Sequence, residues 1–305
     1  MKSKRIQIRD LINMGYLLLL LLIPITLNAQ STGERLDIIQ QQVEVLRAEL
    51  EENGNENNHE YENSEQLPDD SFFNGWWDAF RADNTGMNIK KVDDSQINDF
   101  DGEKIVMVSG FRNLNKDQIR RRIEGRASLL NNRDDIRYII LMDEPFYKGM
   151  SPENIKYMCE VAQQAFDAPI AVTLARGEVN NRDNHIPSCF DAISINFYIQ
   201  YHRDYPSHWV DNEDDFNAHL KGSLNRIAER GYQGEIFLVG QAFYSDPERD
   251  RQNKYRKPSL DSVDWYVNAI RRYGLEGILW FEWRSRGNWF GAEEMPELVE
   301  KIRGI

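Results

Sequence analysis

The chain has 305 residues, enough for one large domain or two small ones, and its 41% hydrophobic and 11% aromatic content is that of a folding sequence. A net charge of −13 lacks the Lys and Arg excess that nucleic acids and anionic membranes require, so no nucleic-acid partner is expected, while neutral or cationic substrates are unopposed. Cys159, Cys189 and the five His residues show no zinc-ligand spacing, so no metal site is expected.

Lys2, Lys4, Arg5 and Arg9 precede the apolar run LLLLLLIPITL (17–27) and then NAQ. A basic start, a short apolar centre and a small-residue end describe a secretory signal peptide over 1–29, cleaved after Ala29. The protein is therefore expected to be exported: periplasmic, cell-surface or secreted. An uncleaved membrane anchor is the alternative. Leu36, Ile39, Val43, Leu46 and Leu50 step by 3 and 4. This is an a/d seam within a short amphipathic helix over 31–50. That seam is either a homo-oligomer contact through 36–50 or the face of a lone helix. Residues 51–70, acidic and Asn-rich, read as a disordered linker. The folded domain is expected to span 71–305.

From residue 104 a phrase repeats: a short apolar run, a polar loop, a helical pattern. The runs are KIVMVSG (104–110), RYIILMDEP (137–145), PIAVTLA (169–175), FDAISINFY (190–198), EIFLVGQAF (235–243) and EGILWFEW (276–283). Apolar on both faces, they suit parallel strands covered by helices. Between them, Ser151-Pro152-Glu153 and Ser259 start helices. Cys159 falls in one helix and Cys189 in a later loop, and spacing alone does not pair them. The alternation predicts an α/β fold, a (β/α)8 TIM-barrel-like domain, with right-handed crossovers. No strand is followed by GxGxxG or GxxxxGK[ST], so no nucleotide cofactor is expected. Residues 71–103 are few for two further strands and their helices. MNIKKV (87–92) is one candidate strand, and the barrel is expected to be abbreviated or incomplete at its start. Trp76 and Trp77 are expected to plug its N-terminal region.

A barrel of this kind builds its site at the C-terminal strand ends. Those ends offer Asp143 and Glu144; Arg176 and Glu178; Asn196 and Tyr198; Gln241 and Tyr244; and Trp280, Glu282 and Trp283. Flat rings with carboxylates and amides suit a sugar, so a polysaccharide or oligosaccharide partner is expected. The competing structural readings are an acid pair at Asp143–Glu144 that caps a helix or meets Arg176, and a buried ion pair of Glu282 with Arg284 or Arg176. Arg284 and Arg286 either meet an acidic sugar or lie in a solvated loop.

NNRDDIRYIILMDEPF resembles the fourth strand of the clan A (β/α)8 glycoside hydrolases, which ends in Asn-Glu-Pro with the Glu as general acid/base. GILWFEW resembles their eighth strand, where a Trp floors the sugar subsite. The resemblance covers roughly residues 104–300. It implies Glu144 as acid/base and Trp280 or Trp283 as platform. Two departures stand out: Asp143 replaces the Asn, and Gln241 occupies the place of the seventh-strand nucleophile. An amide forms no glycosyl ester, so the two-carboxylate retaining mechanism lacks its second member. Three resolutions are open. Asp143 could orient a 2-acetamido group, as in the family 20 hexosaminidases that the Asp-Glu pair resembles, with Tyr198 and Gln241 holding its carbonyl. Glu282 or Glu178 could supply a displaced carboxylate. Otherwise the barrel binds glycan, or serves as a scaffold, without hydrolysing it.

Overall fold

The computed structural model describes residues 72–77, 87–98, 101–198, 210, 212–246, 255–285, 287 and 289–305. The signal peptide, the helix of 31–50, the linker of 51–70 and Arg286 lie outside them. Among the described residues no helix is long and apolar enough to cross a membrane.

Eight parallel strands close into a barrel: β1 (Phe73–Trp76), β2 (Ile89–Asp93), β3 (Lys104–Met107), β4 (Ile136–Asp143), β5 (Ile170–Ala175), β6 (Ala192–Asn196), β7 (Glu235–Gln241) and β9 (Gly277–Phe281). Two short strands, β8 (Tyr244–Ser245) and β10 (Trp289–Phe290), pair antiparallel outside it. All eight strands are present, so the barrel is not incomplete; its start is abbreviated, with β1 only four residues long and a short 3-10 turn (Asp94–Gln96) between β2 and β3. FNGW, expected as a plug, is a strand wedged between β2 and β9, with Gly75 opposite Ile89 and Trp76 opposite Trp280. A Cβ on Gly75 would stand 2.3 Å from the Ile89 carbonyl oxygen, so only glycine lets these strands approach.

The helices are α1 (Lys116–Leu130), α2 (Pro152–Ala165), α3 (Arg176–Asn180), α4 (Glu213–Glu229), α5 (Leu260–Tyr273) and α6 (Pro296–Arg303). Local chemistry fixes their ends. Asn115 and Gln118 form a reciprocal capping box on α1, Ser151 caps α2 before Pro152, and Gly274 closes α5 in the left-handed conformation. The outward strand residues and the inner helix faces form one apolar layer; Ile139, Leu141, Leu174 and Ile195 meet Ile155, Met158, Leu220 and Ile270 there. A disulfide joins Cys159 of α2 to Cys189 in the loop before β6.

The barrel interior is a separate cluster. At its floor, Tyr138 stacks on Phe237 at 5.4 Å and Phe73 meets Phe237 edge-on at 5.3 Å. Lys104 is buried at the start of β3, its Nζ 2.7 Å from both Asp135 Oδ2 and the Gly102 carbonyl. Arg133 first, then Lys104, hold the Asp135 carboxyl well below the usual carboxylate range.

Candidate active site

Strand β4 would normally point neighbouring residues to opposite faces. A bulge interrupts it: Ile140 pairs with Ala171, but Met142 already pairs with Val172 and Asp143 with Thr173. The extra residue shifts the alternation, so Met142 joins the outer layer and Asp143 turns inward. Glu144 follows in the left-handed region at φ 51°, its amide bonded to the Thr173 carbonyl at 2.8 Å. Strand, bulge and left-handed turn therefore deliver two neighbouring carboxyl groups to one place.

Asn196, at the end of β6, shows this directly. Its Nδ2 donates to Glu144 Oε1 at 2.8 Å and to Asp143 Oδ1 at 3.3 Å. Lys148 takes the other side of Asp143, with Nζ 2.7 Å from Oδ2 and 2.5 Å from the backbone oxygen. Asp143 is thus ion-paired with Lys148, not with Arg176. Asn196 is 7% exposed, and its Oδ1 is buried with no hydrogen-bond partner. Desolvation, followed by the charges of Asp143 and Glu144, pushes the Tyr198 phenol well above its usual range.

Glu178 works beneath this group. Its Oε2 accepts the Ala175 amide at 2.8 Å and caps α3, while its Oε1 accepts the Tyr147 amide at 2.6 Å. It pins the turn after Glu144 to the end of β5. Burial pushes its pKa up to about 7, against the backbone hydrogen bonds, with the charge of Glu144 adding to the rise. Both carboxyl oxygens are engaged with backbone, so Glu178 is a positioning residue and not a displaced nucleophile.

The seventh strand looks different. The Gln241 amide nitrogen donates to the carbonyls of Phe243 at 2.9 Å and Arg256 at 3.2 Å, tying loops together. Beside it, Tyr198 stacks on Phe281 at 5.8 Å and meets Phe243 edge-on at 5.1 Å, and Trp289 lies 5.1 Å from Phe243. Among the described residues, this aromatic cluster lies on the β6–β7–β9 side.

Several expected site residues lie elsewhere. Trp280 is fully buried in the outer layer, its Nε1 bonded to Asn74 Oδ1 at 2.8 Å, because Leu279 and Phe281 take the inward positions of β9. Trp283 packs edge-on against Trp76 in that same layer. The inward aromatic of β9 is therefore Phe281, and neither tryptophan is the floor. Arg176 is buried with its guanidinium over the Phe197 ring at 5.6 Å, which turns it toward the helices. Tyr244 lies in the β8–β10 sheet, 5.0 Å from Phe290. Glu282 is fully buried, both carboxyl oxygens included, so it does not open onto the mouth.

Strand β2 adds a residue that the sequence does not mark as a site residue. Lys91 is nearly buried, with its Nζ 5.3 Å over the inward-facing Trp77 ring and 3.1 Å from Asp93 Oδ1. Asp93 therefore faces the mouth as well. In an eight-stranded barrel of this stagger, inward residues at one height come from alternate strands. The pairings run Asp93–Met107–Ile140–Ala171–Ala192, and each step descends by about one residue. Restoring that height places Asp93, Asp143, Asn196 and Phe281 in one layer, contributed by β2, β4, β6 and β9. The signal was the β2 alternation, visible only once FNGW is known to be a strand.

No family model and no curated protein sequence matches the chain. Solved structures do. The endoglucanase Cel5A of Pseudomonas stutzeri superposes with a TM-score of 0.50 at 8% identity, over 73% of this chain and 82% of that one. The two share the closed (β/α)8 barrel fold. The GH113 β-mannanase of Alicyclobacillus acidocaldarius gives a TM-score of 0.48 at 10% identity, over 78% of this chain and 99% of that one. The β-glucuronidase of Bifidobacterium dentium gives 0.49 at 11%, and its alignment covers 77% of this chain but only 46% of the other. Counted round the closed barrel, β4 is the fourth strand, β7 the seventh and β9 the eighth. Glu144 thus stands at the fourth-strand end and Gln241 at the seventh, as the sequence resemblance implied.

Proposed function

We propose that this protein hydrolyses glycosidic bonds in a polysaccharide or oligosaccharide, with Glu144 donating the proton to the departing oxygen. The observation that carries this reading is the Asp143–Asn196–Glu144 group at the fourth-strand end. A bulge and a left-handed residue aim both acids into the barrel mouth there, where sites of this fold are built. The endoglucanase that shares the fold supports a glycan as substrate class. The hydrophobic N-terminal run and the Cys159–Cys189 disulfide support export into an oxidising compartment. Asp143 already has Lys148 on one oxygen and Asn196 on the other, so it serves better as a clamp than as the partner of a substrate acetamido group.

The test is reducing-sugar release from mannan, xylan, carboxymethylcellulose, galactan and chitin oligosaccharides. Wild type is expected to act on at least one, and Glu144→Gln to lose about 10²–10⁴-fold in kcat while still retarding in an affinity gel. The aromatic cluster and Gln241 on the seventh-strand side favour a second reading, a barrel that binds glycan without cleaving it. Retardation by wild type with no sugar released from any polymer would decide for it.

A further inference from the structure

If the chemistry were that of a retaining pair, the second carboxyl group would sit on β7. That side holds Gln241, with its amide nitrogen on two backbone carbonyls, and packed rings. Among the described residues, the accessible carboxyl groups at the inward strand ends lie opposite. The Asp93 side chain is 51% exposed and that of Asp143 is 30% exposed.

We infer that Asp93 is the catalytic base of an inverting hydrolysis in which Glu144 is the acid. This rests on the hydrolase reading above. Strands β2 and β4 are separated only by β3, and at about 4.8 Å per strand their backbones stand about 9–10 Å apart. Inward side chains narrow that gap into the range of about 6.5–9.5 Å that leaves room for a water between acid and base, wider than the roughly 5–5.5 Å of a retaining pair. Lys91, resting on Trp77, holds the Asp93 carboxyl at this height.

An independent feature marks the same layer as a ligand site. Asn196 Oδ1 is a buried acceptor without a donor, on the amide whose nitrogen holds Asp143 and Glu144. Buried acceptors are rarely left unfilled, and a sugar hydroxyl between Asp93 and Glu144 supplies the donor.

The step balances. Glu144 gives its proton to the glycosidic oxygen as the bond to the anomeric carbon breaks. A water oxygen bonds to that carbon from the opposite face, and Asp93 takes the water's proton. One water is consumed, the anomeric configuration inverts, and the proton on Asp93 returns through solvent to Glu144.

The experiment uses the full chain on whichever polymer of the panel it cleaves best. Proton NMR should find the first-formed reducing end inverted. Asp93→Asn should lose about 10²–10⁴-fold in kcat with KM little changed and regain turnover with added azide. A retained anomer overturns the assignment without any variant, and so does an Asp93→Asn protein cleaving near the wild-type rate. In both cases the hydrolase reading stands. If wild type cleaves none of the polymers, the hydrolase reading and the assignment fall together.

Discussion

Two neighbouring carboxyl groups repel, and at the end of β4 a single amide reconciles them. Asn196 donates to both, and Lys148 balances the charge of Asp143. Replacing Asn196 with Asp removes the donor and adds a third carboxylate to the same layer. Carboxylates that share a site resist ionisation, so their pKa values rise and the folded state favours protons. Asn196→Asp is therefore expected to lose about 2 kcal/mol at pH 7 and to recover part of it at pH 4.5, where protonation relieves the repulsion. Urea unfolding at the two pH values checks this. An equal loss at both would mean that repulsion is not the cause. At this scale the sequence was partly legible. Asp143 and Glu144 could be found because an apolar run ends in them before Pro145. Asp93 could not, because IKKVD is too polar to declare which of its side chains face inward.

Elements carry these residues into place, and α3 does so through a buried acid. Glu178 caps α3 through Ala175 and fastens Tyr147, just beyond Glu144. Its pKa of about 7 lies above the ordinary glutamate value of 4.5. A raised value in the folded state means that its contribution is fully present below about pH 4.5 and is lost as the pH rises toward 7. Glu178→Gln keeps one acceptor and loses the other, costing about 1–3 kcal/mol at pH 5. The variant lacks the titration, so the gap to wild type should narrow by pH 8. Unfolding curves at pH 5, 6.5 and 8 test this, and a gap that stays constant would refute the account. The longer elements were readable because both faces of β4, β5, β6, β7 and β9 are apolar and their helices are capped. The four residues of β1 were not, since FNGW is held in the barrel by Gly75 and by pairing with β2 and β9, not by its own composition. Trp280 was misplaced for a related reason: an apolar run hides its alternation, and only the partners of Leu279 and Phe281 reveal which face is inside.

At the scale of the barrel, the packed floor and the candidate site sit at opposite ends. The floor is packed rings and the Lys104–Asp135–Arg133 group, and the mouth carries the acids. The Cys159–Cys189 disulfide belongs with stability, because it ties the outer helix α2 to the loop that enters β6 from the floor side. It spans a sequence separation of 30, which in the chain-entropy picture is worth about 3.5 kcal/mol. For a domain of this size each kcal/mol moves Tm by about 2–4 °C. Reduction with dithiothreitol, or the double substitution Cys159→Ala with Cys189→Ala, is therefore expected to lower Tm by about 7–14 °C. Glycan binding or cleavage measured at 20 °C should hardly change, since none of the bonds that position Asp143, Glu144 or Asn196 involves the bridge. Calorimetry of oxidised and reduced protein, beside an assay of both, separates the two effects. Two titratable thiols in the unfolded, unreduced protein would show that the bridge is absent in solution. An equal loss of Tm and of low-temperature activity would show that floor and mouth are coupled, so that the bridge supports the site and not only the shell.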